Sequence, residues 1–344
     1  MMKKYHSVAM LGVVLVLVGL VVFWTPVLAQ DDAGATVPAQ PEVLVGYYAW
    51  VNSPHADVTA EAFNHWNEDD PQEVSERCAQ CHSTPGYQDY LGVDGSEVGV
   101  VDAAAPIGTT VTCDACHNDA TTSLTKVTFP SGIEVSDLND ASRCMVCHQG
   151  RSSMKTVNDR LAESGVEDLN VVSEDLGFIN IHYYAAAATL YGSEAEGGYQ
   201  FEGNTYQMRF EHVEGADTCI GCHDPHTLEI QFETCQTCHE DVEDSEDLHE
   251  IRMQGSLIDY DGDGDMEEGI AGEIETLQEM TYTAIQAYAA EIAGMPIIYD
   301  AHAYPYFFAD NNGNGEIDEE DGRYSNFTGN LMVATYNYQV SKKD

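Results

Sequence analysis

Ten cysteines carry the most legible chemistry in this chain. They fall into five pairs, and each pair is followed directly by histidine: Cys78-Ala-Gln-Cys81-His82, Cys113-Asp-Ala-Cys116-His117, Cys144-Met-Val-Cys147-His148, Cys219-Ile-Gly-Cys222-His223 and Cys235-Gln-Thr-Cys238-His239. Thiols three residues apart also serve zinc ribbons and thioredoxin-like redox sites. Neither requires His straight after the second Cys in every case, and no Cys is left over. C-x-x-C-H is the attachment signature of c-type haem. The two thiols form thioethers to the porphyrin, and the adjacent His ligates the iron. The spacing predicts five haem c groups with His82, His117, His148, His223 and His239 as proximal ligands.

Each iron then needs a second axial ligand or stays open for chemistry. Of 13 His, five close the motifs, His6 lies near the start, and seven remain. His55, His65, His182, His212 and His226 are the expected distal ligands, with His249 and His302 in reserve. His55 and His65 precede the first motif. Ser53 reads as an N-cap there, with Pro54 at the first helical position. On one continuous helix those two His would stand about 80° and roughly 15 Å apart, too far to share an iron. His226 follows His223 by three residues, so it would serve a neighbouring ring. Met208, Met253 and Met295 offer thioethers, a ligand type that raises the potential. No motif carries Lys in place of the proximal His. Irons closed on both faces pass electrons and bind no substrate, so electron transfer is the expected function and no residue is assigned as catalytic. The alternative, a reductase of a small nitrogen or sulfur compound, needs one open iron.

The elements that must position these groups are short. Covalent haem supplies large apolar plates, so the polypeptide needs little regular structure to bury a core. A mostly α fold with extensive loops and few strands, organised around a haem chain, is expected. First-Cys intervals of 35, 31, 75 and 16 residues make the last two sites close neighbours and leave an insert from about Lys155 to Glu214. Within it, His182 leads into an Ala run, a good helix former. The expected organisation is a leader over 1–29, a flexible lead-in over 30–42, a pentahaem domain over 43–246 and a C-terminal region over 247–344.

The C-terminal region carries two runs of calcium-ligand type. From Asp310 to Asp321 the chain places oxygen donors at Asp310, Asn312, Asn314 and Asp318, with Glu316 between, Gly315 at the turn and Asp321 closing. The earlier run places Asp259, Asp261, Asp263, Asp265 and Glu267, but ends on Ile270, so Glu268 or Glu273 would complete the shell. Between the loops, Ile274 to Ala293 reads as one helix, with Leu277, Met280, Ile285, Tyr288 and Ile292 available for packing.

The first residues read as an export signal: Lys3 and Lys4, an apolar run from Val8 to Trp24, then Pro26 and small residues. A membrane anchor is the competing reading of that run. Cleavage leaves 11 basic against 59 acidic side chains, a net of −48, since Lys3 and Lys4 are lost and no acid is. Such a surface repels phosphate and excludes a nucleic-acid binder. It favours cationic redox partners and calcium. The location expected is the periplasm, the cell surface or the medium, with no membrane span in the mature chain. A shuttle, a homopolymeric filament subunit and a docking subunit are all compatible with these features.

The five motifs resemble multihaem cytochromes c. Cys144 to Arg151 (CMVCHQGR), His182 with its Ala run, and Cys222 to His226 (CHDPH) are similar to pieces of the broad group of nitrite-reductase-related and octahaem cytochromes. The resemblance covers about residues 47–240. It implies closely packed haems with distal His supplied from elsewhere in the chain, which supports His182 and His226. Enzymes of that group that use an unusual catalytic haem have no matching motif here. Polymerising extracellular cytochromes, in which a His of one subunit ligates a haem of the next, are similar in general design.

Overall fold

The computed structural model describes residues 42–253 and 255–343. The expected leader and all but the last residue of the lead-in lie outside the described residues. The architecture is mostly helical with long connections. Three small antiparallel strand pairs join Glu73–Val74 to Ala105–Pro106, Val127–Thr128 to Glu134–Val135, and Ile297–Tyr299 to Phe307–Ala309. Among the described residues no helix is long and apolar enough to cross a membrane.

The haem motifs sit on one- or two-turn helices: Glu76–His82, Cys113–Cys116, Ser142–Met145, Cys219–Cys222 and Phe232–Cys235. One turn is enough, because residues three apart share a face and bring two thiols together. Cap hydroxyls and amides help to start such turns. Thr218 accepts from the Gly221 N–H at 3.2 Å, and Asn118 accepts from Thr121 at 2.8 Å in the turn after the second motif.

The longer helices build the frame. Gly329–Lys342 is the most buried, with Leu331, Met332 and Tyr336 almost without solvent contact. Thr328 caps it through the Leu331 N–H at 3.1 Å. A Cβ on Gly329 would lie 2.6 Å from Leu169 Cδ2, so glycine permits the close approach. Asn337 accepts from the Tyr199 N–H at 2.7 Å and donates to its carbonyl at 2.9 Å, tying this helix to the insert. One buried cluster runs from Tyr87 and Met145 through Ile181 and Tyr191 to Phe307, Phe327 and Tyr336. A smaller one gathers Trp66, Val74, Ala79 and Ala105 around the first motif.

The helix between the acidic loops spans Ile270–Glu291 rather than Ile274–Ala293. Its first turn is anchored by Glu273, which accepts from the Tyr260 and Asp261 N–H groups at 2.6 and 3.0 Å. Its buried residues are Glu273, Ile285 and Ala289, and the C-terminal helix packs against this helix. Leu277, Met280 and Ile292, expected to pack, are exposed. Periodicity specifies the helix but not which side its neighbour covers.

Candidate haem centres

His55 and His65 occupy separate short helical turns: His55 lies within Pro54–Ala56, and His65 closes Glu61–Asn64. Ser53 stands at the first N-cap position with Pro54 following, although its hydroxyl makes no capping bond. The Ala run after His182 forms the helix Ala186–Ala195, broken inside at Gly192 (φ 49, ψ −126). The Ala187 N–H donates to the His148 carbonyl at 2.9 Å, which fixes this helix beside the third motif.

Three proximal imidazoles are oriented by backbone carbonyls. Nδ1 lies 2.9 Å from the Ala62 carbonyl oxygen for His82, 3.0 Å from that of Tyr184 for His148, and 3.0 Å from that of Leu228 for His223. A carbonyl only accepts, so Nδ1 must carry the proton. Nε2 is left with its lone pair, the form that ligates a metal. Tyr184 and Leu228 hold left-handed backbone (φ 49 and 68), and so does His182 (φ 87). Such conformations cost energy in a non-glycine residue and concentrate where function needs them.

The fold brings four proximal rings to four expected distal rings. Ring centroids are 6.3 Å apart for His148 and His55, 5.8 Å for His82 and His182, 6.1 Å for His117 and His226, and 6.3 Å for His239 and His212. Two metal–nitrogen bonds of about 2 Å each, plus the ring half-widths, put imidazole centroids roughly 6 Å apart across a shared metal. The donor sets therefore fit haem iron. The interplanar angles differ widely, at 30°, 82°, 7° and 38° in the same order.

The other expected His lie elsewhere. The His65 ring pairs with Glu61 at 2.8 Å and stands edge-on to Trp66 at 5.0 Å, beside the first motif. His249 sits on the short helix Asp247–Glu250, its carbonyl against Gly269. The His302 N–H donates to Asp300 at 2.8 Å in an exposed turn. Among the described residues, no imidazole stands across from His223 as the four others do. Of the expected Met ligands, Met208 and Met253 are exposed, and the Met295 backbone is held by Ala289 and Tyr324.

Electrostatics favours ligation. Burial lowers the His55 pKa to about 4, helped by His148. Burial does the same for His182, to about 4, with Arg151 and His82 adding to it. His82 is also lowered, chiefly by burial. All three are neutral bases at pH 7, and metals compete with protons for that form.

All ten cysteines are free of disulfides. The Cys81 and Cys147 thiols are close neighbours, as are those of Cys144 and Cys219, and Cys147 Sγ lies 3.6 Å from the Gln80 carbonyl oxygen. Gln80 donates to the Val146 carbonyl at 3.2 Å. The third motif thus touches both the first and the fourth. Cys222 and Cys235 lie near each other across the short link between the last two motifs.

Two aromatic residues join the motifs without belonging to any motif pattern. The Trp66 ring stands 5.3 Å from His82, and Tyr87 is buried among the Cys116, Cys144 and Cys147 thiols, donating to the Arg143 carbonyl at 3.1 Å. Burial raises the Tyr87 phenol. Trp66 has one sequence signal, its place next to His65; Tyr87 has none.

In the first acidic loop, one carboxylate oxygen each from Asp259, Asp261 and Glu273 lie within 4.8 Å of one another, and so do those of Asp261, Asp263 and Glu268. Both residues named to complete the shell therefore stand at it. Asp265 and Glu267 are outside these two groups; the Glu267 N–H donates to Asp265 at 2.8 Å. Glu273 is buried and paired with Arg252 at 2.6 Å. Burial alone would raise its pKa, but Arg252 and the two backbone N–H groups hold it below the usual carboxylate range. Loss of solvent and the carboxylates of Asp261 and Asp263 push Glu268 the other way.

The second loop is closed by its own hydrogen bonds. Asp310 accepts from Gly313, Asn314 and Gly315 at 2.7 to 3.1 Å. The Asn312 and Asn314 amides donate to Asp318 at 2.7 and 2.9 Å. Asp321 accepts from Asn311 and Asp318 at 3.0 and 2.9 Å. The Glu316 N–H donates to Asn314 at 2.8 Å. A half-turn of each Asn amide would present oxygen in place of nitrogen.

Comparison with known proteins agrees at a coarse level. The chain is 25% identical over 332 residues to the C-type polyheme cytochrome OmcC of Geobacter sulfurreducens, covering 78% of this chain. It is 25% identical over 320 residues to the C-type polyheme cytochrome OmcB of the same species, covering 75%. The chain spans 38% of the length of these relatives. No family model and no solved structure matches it. These similarities support a multihaem c-type cytochrome.

Proposed function

We propose that this chain is an exported electron-transfer protein that holds five haem c groups, one on each Cys pair. The observation that carries this reading is the set of four imidazole pairs, each assembled from distant parts of the chain at a spacing that suits an iron between them. Haem supplies one-electron redox chemistry when bound. The polypeptide does the rest. Its Cys pairs fix each ring, and its carbonyls set the proximal tautomer. Its distal imidazoles close the opposite faces of four irons against substrate. The contact of the third motif with the first and fourth keeps attachment points close, which short-range electron tunnelling needs. Four doubly ligated positions serve conduction, and only the fourth iron, which no imidazole of the described residues faces, is left for reduction of a small molecule. The curated relatives are polyheme cytochromes by name, which supports the cofactor class.

Calcium braces the C-terminal region in this reading. Asp259, Asp261, Asp263, Glu268 and Glu273 hold one ion, and Asp310, Asn312, Asn314, Asp318 and Asp321 hold a second. Abundant extracellular calcium would keep weak sites filled. The acidic surface selects cationic redox partners, in the periplasm or at the cell surface, whether the protein works as a shuttle or in a filament.

Intact mass and a haem stain after denaturing electrophoresis test the proposal. Five haem masses are expected on one chain; fewer would contradict it.

A further inference from the structure

Seven His stand outside the haem motifs and the leader, and all seven lie among the described residues. Four of them face the proximal rings of the first, second, third and fifth motifs. None of the remaining three pairs with the His223 ring. His65 is tied to Glu61 and Trp66 beside the first motif, His249 lies against the turn at Gly269, and His302 is anchored in the turn at Asp300. Yet the fourth site is as well prepared on its proximal side as the others. The His223 Nδ1 lies 3.0 Å from the Leu228 carbonyl oxygen, and Leu228 holds a left-handed conformation to present it. The backbone closes a small loop there, with the Asp224 N–H donating to Glu229 at 2.9 Å and the Gln231 N–H to Cys222 at 2.8 Å. This loop turns His226 away toward His117. Proximal ligation is built in, distal ligation is not, and the His223 ring is exposed.

We infer that the iron at His223 takes its sixth ligand from outside the chain, as an uncharged lone-pair donor. The surroundings select against anions. Asp224, Glu229 and Glu233 flank the site in sequence, and the whole chain carries a formal charge of −46. A neutral donor meets no such barrier. A free small molecule and an imidazole of a second copy share this coordination chemistry. The inference rests on the five-haem reading.

Carbon monoxide bound to the reduced, monomeric five-haem protein reads the site directly. Intact mass first establishes five haems; a shortfall there defeats the underlying reading and is distinct from a failure of carbon monoxide to bind. One carbon monoxide per five haems is expected, together with one high-spin ferric signal that added imidazole converts to low spin. A Cys219→Ala/Cys222→Ala variant, which loses this haem, should bind none. A His212→Gly variant should bind two and serves as the positive control. Titration at rising protein concentration separates the sources. Binding that disappears on self-association assigns the donor to a second copy, and binding that is independent of concentration assigns it to a free small molecule. A five-haem monomer that binds no carbon monoxide and shows only low-spin iron would overturn the inference, as would unchanged binding after loss of Cys219 and Cys222.

Discussion

His117 and His226 are nearly parallel, with 7° between their ring planes and 6.1 Å between ring centroids. Their motifs are separated by the third haem motif and the whole insert. His226 reaches this position because Asp224 accepts from the His226 and Thr227 N–H groups at 2.9 and 2.8 Å and turns the chain just after His223. An imidazole that looks like part of the fourth motif faces the second.

Replacing His226 should therefore alter the second haem and spare the fourth. His226→Met should keep six-coordination, add one thioether-ligated haem and raise one midpoint potential among five, since Met/His ligation has a higher potential than bis-His. Spectroelectrochemistry of the variant measures it. An unchanged set of five potentials would sink the assignment.

The angles between ligand planes predict distinct magnetic signatures. Parallel imidazoles reinforce one direction of the iron's ligand field, whereas perpendicular ones cancel it. The pair His117 and His226 at 7° should give a rhombic low-spin signal, and the pair His82 and His182 at 82° a much more anisotropic one. His182→Ala should remove the anisotropic signal and leave the rhombic one, as followed by low-temperature EPR.

Acid should act on the buried distal ligands. Burial chiefly holds His55 and His182 at about 4 against an ordinary 6.5, and a metal on the lone pair would hold them lower still. The unfolded chain then takes up protons before the folded one does. Stability is full above about 6.5 and is lost as pH falls toward about 4. Thermal melts between pH 8 and pH 4 should be flat at first and fall only below about 6.5. A steep fall already above neutrality would contradict this.

Removing calcium should destabilise the C-terminal region. An ion present at about a hundred times its Kd adds roughly 2.7 kcal/mol to the folded state. Chelation should lower the melting temperature by several degrees, and calcium, not magnesium, should restore it. Glu273→Gln should shrink the chelator effect, because its carboxylate lies with Asp259 and Asp261. An identical melt with and without chelator would leave only solvated acidic turns.

Tyr87 offers a test of packing between motifs. Tyr87→Phe keeps the ring among Cys116, Cys144 and Cys147 and removes the bond to the Arg143 carbonyl. The expected loss is about 1 kcal/mol, the usual net value of such a bond, read from the shift of the denaturation midpoint. No loss would mean that the bond to the Arg143 carbonyl adds no net stability.

What the sequence determined by itself is local. Two thiols three residues apart followed by His need one helical turn, so Cys78 to His239 could be read without any tertiary knowledge. The acidic loops were legible for the same reason, since their spacing is set by a tight turn. The long helix was legible from periodicity, although its exposed Met280 and Ile292 show that periodicity does not name the covered face. The pairing of imidazoles belonged to the tertiary structure. His55 meets His148 and His182 meets His82 across long stretches of chain, and nothing near any of these four encodes the match. Equal-looking candidates such as His65 and His212 were separated only when the fold set one beside Glu61 and the other opposite His239. Glu273 completed the first acidic group in the same way, through a buried pair with Arg252. Covalent attachment is decided by neighbours along the chain. Coordination is decided by which imidazoles the packed core can bring to within a few ångströms of one another.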